Sequence, residues 1–288
     1  MHAATVSRTD CALLAASPAF MRLTTGIRQP KRKTLGTDFA GSVEAVGTKV
    51  GGLEVGDRVW GIDDMGAGSH AEYLVIREGD KIARMPDGLS FEDAVACVEG
   101  GWYAYSFIDK VEMGNGKRVL INGATGAIGS ALLQLCVHFG ATVTAVGNTK
   151  NLELLKSLGA HKVVDYERTD FTRDDKIYDY VFDAVGKSTF GACKRLLEPK
   201  GVYISSELGP GWQNPFLALV TPLVGGKRVA FPIPINRKRF FDVIHPLVEA
   251  RHVRAVIDRS YTLDAVREAY AYAASGRKTG TVILKLDE

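Results

Sequence analysis

Val119-Leu120-Ile121-Asn122-Gly123-Ala124-Thr125-Gly126-Ala127-Ile128-Gly129 passes from a short apolar run through a glycine-rich turn into the start of a helix near residue 127. Glycines at this spacing permit a tight turn, close approach of backbone to a pyrophosphate, and close packing of helix on strand. The helix start adds free N–H groups and the positive end of its dipole. Gly123, Ala124, Thr125, Gly126, Ala127, Ile128 and Gly129 are therefore the expected seat of a dinucleotide phosphate.

Outward from this turn, strands and helices alternate. Strands are expected at 118–122, 142–146, 162–165, 180–183, 201–205 and 228–231, with helical patterns between them, notably at 127–139 and 150–158. Near-continuous apolar strands between amphipathic helices indicate a parallel, doubly wound sheet covered on both faces. Upstream, the chain is glycine-punctuated and β-like, with short runs at 42–47, 57–60 and 71–76. Residues 30–34 read as a basic surface loop, and Ser90 with Asp93 as a helix start. Downstream, a helix (238–251), a strand (254–257), a helix (263–274) and a last strand (280–286) are expected. The reading is a β-rich domain at 1–92, an α/β domain at 93–235, and a return to the first domain at 236–288.

The composition fits this reading. At 46% hydrophobic and 24% charged, the chain is ordinary for a globular protein, which excludes disordered and collagen-like classes. A net charge of +3 is too small to argue for nucleic acid. No apolar run reaches the roughly 18 residues of a membrane span. The opening residues carry Arg8 and Asp10 where a signal peptide needs apolar side chains. Cys11, Cys97, Cys136 and Cys193 show neither zinc nor disulfide spacing. A cytoplasmic protein with free thiols is expected.

The second strand bears on which dinucleotide is bound. An NAD site places a carboxylate at its end, on the ribose hydroxyls. This strand runs instead into Asn148, Thr149 and Lys150, two hydrogen-bond donors and a cation. NADP(H) is the expected cofactor, with Tyr166, after the third strand, as a candidate for the adenosine side.

Several short stretches together resemble the medium-chain dehydrogenase/reductase superfamily, in its zinc-free, quinone oxidoreductase-like branch. They are Val6 to Asp10, Leu35 to Gly41, Val55 to Val59, Ala71 to Tyr73, the Gly123–Gly129 turn, Asp183 to Gly186, and Thr279 to Val282. The resemblance implies a Rossmann domain inserted in a GroES-like catalytic domain, with substrate and nicotinamide meeting between them. It places Val185, Gly186 and Ser205 along the ribose and nicotinamide, and Phe231 and Ile233 by the carboxamide. Pro232 has no N–H, so Ile233 is the expected backbone donor there. The resemblance also implies a homodimer joined through the sixth strand. The family usually carries about 30 further residues ahead of the segment matching His2 to Val6. Without them, an exposed strand edge is expected.

Zinc-binding relatives align a cysteine with Ser7 and a histidine with Thr37, and hydroxyls are poor zinc ligands at neutral pH. No metal is expected. Hydride transfer then depends on hydrogen bonds to the oxygen that gains charge, which suits quinones and enones. Tyr103, Ser7, Thr37 and Asp10 are the candidate catalytic residues. Tyr103 would donate to an enolate or quinol oxygen, while Asp10 also reads as a helix N-cap. Asp38, Glu99 and Lys278 stand near them in the reading. Trp102, at a position aligned with a threonine of quinone oxidoreductases, and Ala12, where an aromatic is common, depart from the pattern. The expected function is zinc-independent, NADPH-dependent reduction of a quinone, enone or similar small molecule. The alternatives are an enoyl-thioester reductase, with Lys31, Arg32 and Lys33 as a basic lip, and a non-catalytic NADPH-binding protein.

Overall fold

The computed structural model describes residues 1–17, 22, 26 and 33–286. Of the basic stretch 30–34, residues 30–32 therefore lie outside the described residues, as do Lys31 and Arg32 of the basic lip.

The elements run in chain order as β1 (Ala3–Thr5), α1 (Arg8–Ala15), β2 (Asp38–Ser42), β3 (Arg58–Ile62), β4 (Ile82–Arg84), α2 (Phe91–Ala96) and α3 (Val98–Ile108). Then come β5 (Arg118–Asn122), α4 (Ala127–His138), β6 (Thr142–Gly147), α5 (Leu152–Ser157), β7 (Lys162–Asp165), β8 (Tyr178–Asp183), α6 (Phe190–Cys193), β9 (Leu197–Ser205), α7 (Gln213–Val224) and β10 (Arg228–Ala230). The chain closes with α8 (Arg237–Glu249), β11 (Ile257–Thr262), α9 (Val266–Ala274) and β12 (Thr281–Lys285). They form two compact units: Met1–Glu99 with Asn236–Glu288, and Gly100–Ile235. Among the described residues, no helix is long and apolar enough to cross a membrane.

The second unit is built on a six-stranded sheet in the order β10-β9-β8-β5-β6-β7. Every pairing in it is parallel. Parallel strands are buried on both faces. Val119, Leu120 and Ile121 of β5 are accordingly buried throughout. Leu120 belongs to a core cluster with Val146 of β6, Val181 of β8 and Tyr203 of β9.

The first unit carries a mostly antiparallel sheet in the order β11-β12-β1-β2-β3-β4. The short β1 lies between β12 and β2, both antiparallel to it. Ser7 ends the chain's exit from β1 and caps α1: its hydroxyl accepts the Asp10 N–H while the Asp10 carboxylate accepts the Ser7 N–H. Ser7 is thus the N-cap, and Asp10 is the third helical residue of a capping box rather than the cap itself. Ser90 caps α2 through the Asp93 N–H at 3.0 Å.

Three strand expectations change. The run at 42–47 is paired only at its start, because β2 begins earlier, where Thr5 holds the Asp38 carboxylate and Ala3 faces Ala40. From Val43 onward the backbone bonds Asp57 and Gly56 irregularly. The run at 71–76 is not a strand; Tyr73 and Val75 stand 72% and 99% exposed. Alternation fixes which way side chains point, but a strand also needs a hydrogen-bonded neighbour. Tyr73, Leu74, Val75 and Ile76 instead line an apolar groove of about 360 Å³ with Val46, Phe39 and Met1. The strand expected at 254–257 starts at Ile257, where pairing with Thr281 begins.

Candidate functional site

The glycine turn closes β5 onto α4. Gly123 has φ +78°, in the left-handed region, and a Cβ there would strike the Val185 side chain. A Cβ on Gly129 would collide with the Gly123 carbonyl, so that glycine is what lets α4 start against the turn. Gly126 is the N-cap and has no capping side chain. The N–H groups of Ala127, Ile128 and Gly129 lie in the first helical turn, where no intrahelical carbonyl can reach them. A Cβ on Gly126 would meet nothing nearer than 3.7 Å, so the space above the turn is open. Ala124 ties the turn to β6 through its N–H on the Val146 carbonyl at 3.0 Å, and the Thr125 methyl lies beside Gly147.

β5 pairs with β6 on one side and β8 on the other, which makes their C-terminal ends the topological switch point, the usual ligand crevice of such sheets. Asp183 organises the β8 side. It is fully buried and accepts hydrogen bonds from Asn122 Nδ2 (3.0 Å), the Ser188 N–H (2.9 Å) and the Tyr203 hydroxyl (3.1 Å). The Val185 and Lys187 N–H groups also turn to it. These bonds fold Val185 and Gly186 around the strand end, with Gly186 at φ +63°. Ser205, at the end of β9, is fully buried and accepts the Glu207 N–H.

The lip after β6 differs from its sequence reading. Asn148, Thr149 and Lys150 are there, but two carboxylates arrive beside them, Asp165 from the end of β7 and Glu167 from the segment after it. Thr149 Oγ1 donates to Asp165 at 2.6 Å, and its N–H donates to Glu167 at 3.1 Å. The expectation of a lip without carboxylates is corrected: the second strand carries none, yet the third supplies two. Asn148 accepts from the Asn151 side chain, and Tyr166 is half exposed with its N–H on the Gly147 carbonyl. Ile233 also departs from its reading. Its N–H donates to the Phe231 carbonyl at 3.1 Å, so the expected carboxamide donor is engaged within its own turn.

The first unit gathers a buried polar cluster. Ser7 Oγ donates to Asp10 at 2.8 Å. Asp38 accepts both the Thr5 N–H and the Thr5 hydroxyl at 2.8 Å. Thr9 donates to Glu99 at 2.7 Å. His70 Nε2 meets the Thr5 carbonyl at 2.9 Å, and its Nδ1 lies 3.2 Å from the Tyr270 hydroxyl. Thr37 is fully buried in this cluster. Burial pushes the Asp10 carboxyl up to about 6, against contacts with Ser7 and Thr37 that lower it. Burial, then the charges of Glu99 and Asp10, raises Asp38 well above its ordinary value. Burial, then Asp10, raises Glu99. The structure therefore brings Ser7, Thr37 and Asp10 together. Tyr103 belongs to the other unit, half-buried on α3, beside the buried Trp102. The Thr9–Glu99 and His70–Tyr270 pairs escaped the sequence reading, since their partners lie 90 and 200 residues apart and no spacing announces them.

Zinc can be tested on the donors themselves. Ser7 and Thr37 offer hydroxyls, and both oxygens of Asp38 are already committed to Thr5. The four cysteines are free, and Cys97, Cys136 and Cys193 are buried. Among the described residues, no three His, Cys, Asp or Glu side chains converge on a point. This donor set does not fit a zinc ion.

Comparison with known proteins gives matches to both parts of the chain. Residues 1–87 match the alcohol dehydrogenase GroES-like domain, and residues 158–284 match the family described as zinc-binding dehydrogenase. A 2-methylene-furan-3-one reductase of Solanum lycopersicum is 34% identical over 260 residues, covering 86% of this chain and 62% of the relative. This chain thus spans under two thirds of that reductase. A trans-enoyl reductase of Aspergillus terreus is 31% identical, over 88% of this chain and 78% of the relative. The fold matches a quinone oxidoreductase structure from Coxiella burnetii with a TM-score of 0.84 at 24% identity, covering 99% of this chain and 89% of that one. Both matched domains, in this order and at this level of identity, establish that the chain belongs to the medium-chain dehydrogenase/reductase superfamily, in its quinone oxidoreductase-like branch.

Proposed function

We propose that the protein is a zinc-independent, NADP(H)-dependent oxidoreductase that reduces a quinone, an enone or a similar activated carbonyl in the cytoplasm. The observation that carries this reading is the pairing of an open glycine cradle with a catalytic unit whose donors do not suit a metal. A bound reduced nicotinamide would supply the hydride. The N–H groups of Ala127, Ile128 and Gly129 would hold its pyrophosphate. Lys150 and Asn148 would take the adenosine phosphate, with Lys150 offsetting Asp165 and Glu167, and Tyr166 would line the adenosine side. Val185, Gly186, Ser205 and Phe231 would line the ribose and nicotinamide side.

On the catalytic side, Thr37, whose buried hydroxyl has no hydrogen-bond partner among the described residues, is the proposed donor to the acceptor's oxygen, and Tyr103 is the candidate donor of the second unit. Ser7 gives its one hydroxyl proton to Asp10, so this pair shapes the start of α1 beside Thr37 rather than donating to the acceptor. Activated acceptors suit such a site, because delocalisation spreads the charge that hydride brings and no Lewis acid is required. Enoyl thioesters are the second reading, favoured by the name of the Aspergillus relative. A homodimer is also proposed, supported by the open edge at β10 and the exposed apolar side chains of α7 beside it.

NADPH oxidation with 1,4-naphthoquinone, cyclohexenone, crotonyl-CoA and cyclohexanone tests the reading. Turnover of the quinone or the enone without cyclohexanone is expected. Crotonyl-CoA as the only good substrate would favour the second reading. Equal turnover of cyclohexanone, or none of any acceptor by a protein that binds NADPH, would overturn both. Lys150→Glu should lower affinity for NADPH about tenfold and leave NADH unchanged; equal losses for both would contradict the phosphate assignment.

A further inference from the structure

Both hydrogen-bond donors of Thr149 are committed to carboxylates, and the two carboxylates are held very differently. Asp165 is built into its turn. Its side chain is largely buried, accepts the Thr149 hydroxyl at 2.6 Å and the Glu167 N–H at 3.0 Å, and lies 3.5 Å from Arg168 Nε. Its carbonyl also takes the Arg168 and Thr169 N–H groups. Glu167 is exposed, and among the described residues its carboxylate takes one hydrogen bond, from the Thr149 N–H at 3.1 Å. A phosphate oxygen is as good an acceptor for a backbone N–H as a carboxylate oxygen. Glu167 thus sits, lightly held, on a donor that a phosphate could use.

This lip adjoins the glycine turn within the second unit. The Thr125 methyl stands 2.8 Å from where a Gly147 Cβ would be, and the Gly147 carbonyl takes the Tyr166 N–H at 3.0 Å. Gly147 therefore links the phosphate turn to the segment that carries Asp165 and Glu167, and it is the register partner of Asp165 in the β6–β7 pair. A dinucleotide whose pyrophosphate rests on the glycine turn presents its adenosine ribose to the end of the second strand, where such sheets read the 2′ position. Asn148, Thr149 and Lys150 follow that strand directly.

We propose that Glu167 sets the choice between NADPH and NADH, by occupying the Thr149 N–H that a 2′-phosphate would otherwise take. The proposal rests on the dinucleotide reading above. Its sign differs for the two nucleotides. The 2′-phosphate of NADPH must displace Glu167 from Thr149 and then bear a like charge beside it. The 2′-hydroxyl of NADH is neutral and can donate to the same carboxylate, which keeps its bond to Thr149. Specificity is the difference between the two affinities, so Glu167 narrows the preference for NADPH that Lys150 supports. Asp165 does not discriminate in this way, because its oxygens are spent on Thr149, Glu167 and Arg168.

Glu167→Gln tests this on the whole chain, since the amide keeps an acceptor for the Thr149 N–H and removes the charge. Binding is followed by nicotinamide fluorescence for NADPH and NADH. Calorimetry follows adenosine 2′,5′-bisphosphate and adenosine 5′-phosphate, which differ only in the 2′-phosphate. The variant should bind NADPH and the bisphosphate about tenfold more tightly, and NADH and adenosine 5′-phosphate about threefold more weakly. Glu153→Gln removes an equal charge from the neighbouring α5, where Glu153 pairs with Lys156 instead of Thr149. It should leave the ratio of NADPH to NADH affinity at the wild-type value. A wild-type ratio in Glu167→Gln, or an equal shift in Glu153→Gln, would overturn the proposal. If Glu167→Gln fails to fold, Glu167→Ala carries the same comparison. A wild-type protein that binds none of these ligands would overturn the dinucleotide reading and the proposal with it, whereas nucleotide binding with an unmoved ratio overturns the proposal alone.

Discussion

Asp183 shows how much one side chain can shape a site that it does not itself form. It sits at the end of β8 with no exposure, and neighbouring donors from Asn122, Ser188 and Tyr203 converge on it. Replacing it with alanine leaves those donors buried without an acceptor, which costs about 3 kcal/mol or more. Asp183→Ala is expected to lower unfolding free energy in urea by that amount and to weaken NADPH binding, since the Val185–Gly186 turn loses its anchor. A variant with wild-type stability would show that the network is dispensable. Asp10 makes a prediction of opposite sign to the usual carboxylate. Its folded-state value, about 6, lies above its unfolded value near 3.8. The folded state therefore binds the extra proton, and the contribution of Asp10 to stability falls as pH rises from about 4 to about 6. A carboxyl held that far above its unfolded value changes stability by at most about 3 kcal/mol across the window. Asp10→Asn keeps an acceptor for Ser7 and should remove that slope from unfolding free energies measured over the same pH range. An unchanged slope would mean that Asp38 or Glu99 carries the proton instead.

At the scale of elements, caps and apolar runs were the legible part. Ser90 sits at the N-cap of α2, and its hydroxyl takes the Asp93 N–H. Ser90→Ala should cost about 1 kcal/mol in thermal or urea unfolding, and a loss below a few tenths would argue that α2 is held by packing alone. The parallel strands β5 and β7 stand at the residues read from sequence: the central β5 is buried on both faces and leaves an unbroken apolar run, and the edge strand β7 keeps a short apolar pair between Lys162 and Asp165. The run at 71–76 has equally good strand composition and is no strand, because alternation carries no information about a neighbour. The carboxylates at the lip of β6 were hidden for a related reason. Asp165 and Glu167 lie at and after the end of β7, and only the parallel pairing of Gly147 with Asp165 brings them beside Thr149. The glycine turn was readable because its chemistry is local: three glycines and a helix start lie between Gly123 and Gly129. The catalytic cluster was readable only in part, since Ser7 and Asp10 are neighbours in sequence, whereas Thr37 and Glu99 join them through the fold.

At the scale of the whole molecule, the edge of the second unit points to association. Its sheet ends at β10, and α7 beside it turns Phe216, Leu219 and Leu223 to solvent. Exposed apolar side chains in a row mark an interaction surface more often than a free one, and an edge strand is a natural site of pairing with a second copy. Sedimentation velocity is expected to show a dimer that Leu219→Glu converts to a monomer without loss of fold. A wild-type monomer at micromolar concentration would show that this surface does not pair two copies. Whether the glycine turn holds a nicotinamide cofactor is decided by one titration. NADPH is added to the purified protein, and binding is followed by its nicotinamide fluorescence, with NADH and the Gly126→Asp variant in parallel. Saturable binding of NADPH, weaker binding of NADH, and none in the variant are expected, because the new carboxylate would occupy the open space above the turn and repel the pyrophosphate. A folded wild-type protein that binds neither nucleotide, or a variant that binds both as before, would contradict this placement of the cofactor.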